Sequence, residues 1–190
     1  MTKNVLVLTS SPRKKGNSTL LASQSAEALK QAGFNVETIF LHGMNIAPCN
    51  HCEGCIRQKV CCVQKDEMQT LYPKIIAADG IILASPIYWC FYNAQLKVFI
   101  DRWYGMWQNQ PDFIKGKPVG VILTYGNTDL NNSGGIHAVS SLTTTLDFLG
   151  AKLAGFVYGT TNNVGDAEKD PGLMTSAWDL GEKIGDMLKE

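Results

Sequence analysis

Short runs of apolar residues alternate along the chain with longer stretches whose apolar positions recur at helical spacing. Val5–Leu8 is an uninterrupted valine and leucine run, the pattern of a strand buried on both faces. Ser18–Ala32 then places Leu20, Leu21, Ala28 and Leu29 at helical spacing, and Gly33 follows as a C′ glycine would. The cycle repeats with strand Val36–Leu41 and helix Asp66–Ala78, then strand Gly80–Ala84 and helix Asn93–Trp103. Strand Pro118–Thr124 with helix Gly135–Leu149, and strand Ala151–Tyr158 with helix Pro171–Lys189, complete it. Strands that are each followed by a helix require parallel crossovers, and right-handed crossovers cover both faces of the sheet. The pattern predicts a three-layer, doubly wound α/β fold on a five-stranded parallel sheet. No repeat or linker divides residues 1–190, so one domain is expected.

Composition narrows the function. The 17 basic and 17 acidic residues cancel, which argues against nucleic acid as a partner, because phosphate-backbone binding calls for a basic field. An apolar fraction of 45% with 18% charged residues suits a chain that buries a core. No stretch approaches the roughly 20 apolar residues of a membrane span. The apolar run at the start is far too short for a secretion signal, so no membrane association and a cytoplasmic location are expected. In that compartment six cysteines read as ligands, reactive thiols or small core residues rather than as disulfides.

Ligands of such sheets sit beyond the C-terminal ends of the strands, so the loops after the strands hold the candidate chemistry. The first, Ser10–Thr19, offers four hydroxyls, an asparagine, a glycine and three cations ahead of a helix N-terminus. Unpaired N–H groups and the positive dipole end there favour an anion. Neither the dinucleotide glycine fingerprint nor the Gly-x4-Gly-Lys-Ser/Thr loop is present, which favours a mononucleotide monophosphate. Its candidate contacts are Ser10, Pro12, Arg13, Asn17, Ser18 and Thr19; the alternative is a plain helix cap with solvated cations. The loop after the third strand, Ser85–Asn93, is aromatic and amphipathic and can either cover a flat ring or close the core.

Cys49, Cys52, Cys55 and Cys61 follow the second strand at a Cys-x2-Cys-x2-Cys-x5-Cys spacing, with Cys62 adjacent. Three cysteines at three-residue steps can direct thiolates at one centre and the fourth can close a cage, as in ferredoxin-type iron–sulfur ligation. Cys62 is an alternative fourth ligand, zinc an alternative metal, and free thiols the alternative to both. His51 reads as a loop residue, Cys90 as a small core or pocket residue, and His42 and His137 as solvated or capping groups.

The run Ser11-Pro-Arg-x-x-Gly-Asn-Ser-Thr19, with Ala84-Ser-Pro-Ile-Tyr88, Leu96-Lys-x-Phe-Ile-Asp-Arg102 and the cysteine block, resembles the NAD(P)H-dependent FMN reductase branch of the flavodoxin-like superfamily. The resemblance spans most of the first 126 residues. It implies strand order 2-1-3-4-5, FMN as cofactor and NAD(P)H as cosubstrate. A quinone, a nitro or azo compound, or free flavin would be the small-molecule electron acceptor. It also implies that Pro86, Ile87, Tyr88 and Trp89 contact the flavin ring, that Asn93 lies close by, and that Tyr125, Gly126 and Asn127 run along its edge. The cysteine spacing is similar to that of iron–sulfur flavoproteins, electron carriers that hold a [4Fe–4S] cluster beside FMN. A homodimer or homotetramer is a further implication, and the aromatic segment Trp103–Phe113 reads either as a lid or partner surface or as a satellite cluster packed under the loop.

Overall fold

A computed structural model describes residues 2–190. Five parallel strands form one sheet: β1 (Asn4–Thr9), β2 (Asn35–Phe40), β3 (Gly80–Tyr88), β5 (Pro118–Tyr125) and β6 (Lys152–Thr160). They lie in the order β2-β1-β3-β5-β6. This is the predicted arrangement with one correction. A two-residue strand β4 (Phe91–Tyr92) folds back antiparallel on the end of β3, pairing Ile87 with Tyr92 and Tyr88 with Phe91. A hairpin that short leaves no alternation to read.

Strand alternation decides which helix covers which face. Val5 and Val7 of β1, with Ile82 and Ala84 of β3, point to the side covered by α1 (Asn17–Gln31) and α7 (Pro171–Lys189). Leu6, Leu8, Ile81 and Leu83 point the other way, to α3 (Met68–Ala77), α4 (Ala94–Asp101), α5 (Tyr104–Asn109) and α6 (Gly135–Phe148). Helix α1 ends as predicted, with Gly33 left-handed at φ 88° and the Phe34 N–H donating to the Leu29 carbonyl. The crossing of α1 and α7 is close because residue 181 is glycine: a Cβ there would lie 2.4 Å from the Ser25 carbonyl oxygen. No helix among the described residues is long and apolar enough to cross a membrane.

The aromatic segment Trp103–Phe113 is not a lid. Trp103 and Phe113 are core residues in edge-on contact, 5.7 Å between centroids, and Trp103 also meets Phe99 at 5.4 Å. Tyr104 and Trp107 of α5 are half-buried. The segment's aromatic density fills space beneath a short helix that the sequence reading took for a loop.

One buried cation organises the long connection between β2 and α3. Arg102 follows α4, and its side chain is fully buried against Asp66. Its Nη1 donates to Asp66 Oδ2 at 2.5 Å and to the Ala47 carbonyl at 2.7 Å, and its Nη2 donates to Asp66 Oδ1 at 3.2 Å. Asp66 in turn accepts from the Ala47 and Met68 N–H groups. Residues 47 and 66, the two roots of the cysteine-bearing connection, are thus tied to one guanidinium.

Burial alone would raise the Asp66 carboxyl, but the Arg102 hydrogen bonds and charge, with those two N–H groups, hold it below the ordinary range. A lowered folded-state pKa stabilises above the unfolded value of about 3.9 and is lost as pH falls through the folded one. Asp66→Asn should therefore cost about 3–5 kcal/mol at neutral pH by stranding a buried cation. Its denaturation midpoint should also fall less steeply than wild type below about pH 4. Parallel acid limbs in urea titrations of the two proteins would refute this assignment.

Candidate functional site

A groove opens at the C-terminal edge of the sheet, where the ends of β3, β5 and β6 meet the N-terminus of α1. One end is built from Ser11, Arg13, Gly16, Asn17 and Ser18, one wall from Pro86, Ile87 and Tyr88, and the other from Thr124, Tyr125 and Gly126. Thr161, Asn162 and Val164 close it beyond β6.

The end at α1 lacks the partners a buried helix terminus needs. Gly16 is the N-cap, and no side chain caps the helix, although its first N–H groups have no intrahelical acceptor. Ser18 lies in that first turn, 1% exposed, and its hydroxyl has no hydrogen-bond partner among the described residues. Arg13 is exposed beside it. Gly16 is required by space: a Cβ would fall 2.6 Å from Ser11 Oγ and 3.0 Å from the Arg13 carbonyl oxygen. A buried hydroxyl, unpaired N–H groups and one cation around an opening suit a multiply charged oxyanion.

The other residues singled out from the sequence divide by what they bond. Ser10 does not line the groove: its N–H and hydroxyl both donate to the Ala84 carbonyl, at 2.9 and 3.0 Å. Asn93 is 1% exposed and also stands behind the wall. It donates to the Ser10 carbonyl at 2.6 Å and accepts from the Leu96 N–H, capping α4. The buried Thr19 hydroxyl bonds the Arg13 carbonyl, and Pro12 lies outside the groove lining. Asn127 bonds within its own loop, to the Asn132 carbonyl and the Thr128 N–H. Trp89 is 99% exposed and not part of the wall. Cys90, expected in the core or the pocket, is exposed as well.

Asn17 does more than line the groove. Its Nδ2 donates to the Asn163 carbonyl at 2.8 Å, and its Oδ1 accepts from the Gly165 and Ala167 N–H groups. One side chain therefore pins the loop after β6 over the groove. That loop was missed from the sequence, although Thr160-Thr-Asn-Asn163 is a polar run at a strand end on the same sheet edge.

Five of the six cysteines lie in a tightly coiled connection around the short helix α2 (Gly54–Gln58), in which His51, Glu53 and Lys59 are all left-handed without being glycine. Cys49 and Cys52 are exposed, Cys55 is buried, Cys61 and Cys62 are half-buried, and all six cysteines are free. The loop rests on α5 at Gly105, where a Cβ would fall 2.9 Å from Cys55 Cβ. Burial raises the Cys55 thiol, and the neighbouring Cys62 and Cys49 raise it further; burial raises Cys61 too. Cys62 Sγ accepts from Arg102 Nη2 at 3.3 Å and from the Gln64 N–H at 3.4 Å. Among the described residues, no three His, Cys, Asp or Glu side chains gather as a metal site would require. Cys49, Cys52, Cys55 and Cys61 therefore do not converge in this structure.

Residues 3–163 match the sequence model of the NADPH-dependent FMN reductases. The chain belongs to that family. An iron–sulfur flavoprotein of Methanosarcina thermophila is 31% identical over 96% of this chain and 93% of its own. A Bacillus subtilis protein, provisionally named an NAD(P)H-dependent FMN-containing oxidoreductase, is 27% identical over 91% of this chain and 93% of its own. The fold of an NAD(P)H:quinone oxidoreductase from Methanothermobacter marburgensis superposes with a TM-score of 0.72 at 20% identity, covering 95% of this chain and 96% of that one.

Asn17→Ala should release the loop after β6, speeding amide hydrogen exchange across residues 161–167 and lowering stability by about 1–2 kcal/mol. Unchanged protection there would show that the loop is held by something else.

Proposed function

We propose that this protein is an FMN-dependent oxidoreductase that takes hydride from NAD(P)H and passes the electrons to a small acceptor: a quinone, a nitro or azo compound, or free flavin. The observation that carries the reading is the uncapped end of α1, whose Gly16, Asn17 and Ser18 line the groove, with the buried Ser18 hydroxyl left unpartnered beside it. When bound, FMN supplies the redox chemistry of this family. The chain's own residues bind and orient it. Ser11, Arg13, Ser18 and the first N–H groups of α1 hold the phosphate. Pro86, Ile87 and Tyr88 flank the ring on one side, and Tyr125 and Gly126 follow its edge on the other. Burial first, then the charges of Tyr158 and Asp129, raise the Tyr125 phenol above its usual range, so it stays a neutral donor. Ser10, Thr19 and Asn93 shape the cradle from behind, as their hydrogen bonds indicate. A cytoplasmic location belongs to the same reading. A homodimer or homotetramer belongs to the same reading, and light scattering of the purified protein tests it.

Ser18→Ala and Arg13→Ala should each weaken FMN binding to apoprotein at least about tenfold, the worth of a charge-assisted hydrogen bond. Ser10→Ala should instead lower the melting temperature, because its hydroxyl bonds the Ala84 carbonyl. Wild-type affinity in both groove variants, measured by calorimetry, would remove the assignment of this loop.

The cysteine spacing and the iron–sulfur flavoprotein relative favour a second reading, an electron carrier with a [4Fe–4S] cluster on Cys49, Cys52, Cys55 and either Cys61 or Cys62. The donor chemistry suits it, but the side chains do not converge here, so a cluster requires the loop to close around it. Anaerobic purification should then give iron and acid-labile sulfide near four per chain and a broad brown shoulder beside the flavin bands. A spectrum of flavin alone with no sulfide eliminates this reading and leaves the first intact.

A further inference from the structure

The loop after β6 leaves an edge of the sheet, yet it is fastened from three sides. The Thr161 N–H donates to the Tyr125 carbonyl at 2.6 Å, carrying the pairing of β5 and β6 one step past their ends. The Asp166 carboxylate accepts from the Asn162 and Asn163 N–H groups at 3.1 and 2.7 Å, which closes a tight turn. Asn17, in the first turn of α1, holds the same turn through the Asn163 carbonyl and the Gly165 and Ala167 N–H groups. Ala167, just beyond, is fully buried.

These bonds fix the backbone of Asn162 and leave its side chain free. The amide lines the groove and has no hydrogen-bond partner in the protein among the described residues. Its place is set against Gly126, where a Cβ would lie 3.3 Å from Asn162 Oδ1, tighter than ordinary contact. An exposed asparagine on a loose loop carries no message. One whose backbone is already held from three sides has little ordering entropy left to lose when a ligand arrives.

Its position along the groove is equally specific. On one side stands Gly126, which with Tyr125 forms the wall that follows the flavin edge. On the other, the next residue is bonded to Asn17 at the phosphate end. Between ring and phosphate, FMN has its ribityl chain, whose hydroxyls donate and accept. A carboxamide matches them, with an oxygen that accepts and an NH2 that donates twice.

We infer that Asn162 is a further FMN-binding residue, its amide taking the hydroxyls of the ribityl chain. The loop after β6 thereby becomes part of the site, and Asn17 joins the residue that reads the chain to the helix that holds the phosphate. The inference deepens the FMN reading above and rests on it.

The test is calorimetric titration of FMN into apoprotein of wild type, Asn162→Ala, Ser18→Ala and the double variant, with an absorption spectrum of each complex. Asn162→Ala should weaken FMN binding about tenfold, the worth of one or two neutral hydrogen bonds. Its loss should multiply with that of Ser18→Ala to within about twofold, because the two residues hold different parts of the ligand. The bound flavin bands and the melting temperature of the apoprotein should both match wild type. Wild-type affinity in Asn162→Ala overturns the inference, while tight binding by wild type keeps the FMN reading. A shifted flavin spectrum assigns the amide to the ring, a non-multiplying loss assigns it to the phosphate end, and a lowered melting temperature assigns it to the loop; each overturns the inference too. Wild-type apoprotein that ignores FMN removes the FMN reading, and this inference with it.

Discussion

Asn93, buried where the first loop meets the third strand, bonds three separate segments behind the groove at once. Its amide donates to the Ser10 carbonyl and accepts from the Leu96 N–H, and its backbone N–H donates to the Ser85 hydroxyl. Ser10 in turn spends its N–H and hydroxyl on the Ala84 carbonyl. A buried amide left with a missing partner costs the full desolvation of that group, so the knot holds as a unit. The first loop, the end of β3 and the start of α4 therefore cannot shift independently.

The rest of the site is fastened by single side chains reaching across the sheet edge. Asn17 holds the loop after β6, and Arg102 with Asp66 holds the roots of the cysteine connection. Within these fixed points the α1 terminus and the Ser18 hydroxyl are left without protein partners. The Thr9 hydroxyl at the end of β1 is buried without a partner as well, and unpaired donors gathered at a strand and helix terminus are groups that a bound oxyanion can satisfy.

The central strands and their helices were legible because parallel strands buried on both faces read as unbroken apolar runs, and Val5–Leu8 and Gly80–Ala84 are such runs. The turn that makes β4 has no such signal: two residues carry no period, and Trp-Cys is not turn chemistry. Aromatic density between α4 and β5 left a cover and a packed cluster equally open, because composition does not distinguish Trp103 in the core from Trp89 in solvent. Ser10, Asn93 and Ser18 look alike in sequence. Only their hydrogen bonds separate those that build the cradle from the one that faces into it. The cysteine spacing was plain, but spacing fixes the order of donors along the chain and not their convergence in space.

The proposed FMN chemistry depends on the α1 end of the groove gripping a terminal phosphate. Calorimetric titration of apoprotein with FMN and with riboflavin, which differ only in that group, isolates its contribution. Submicromolar binding of FMN with riboflavin weaker by about a hundredfold or more is the expected result, since several charge-assisted hydrogen bonds are lost together. Equal affinities for the two flavins would contradict it.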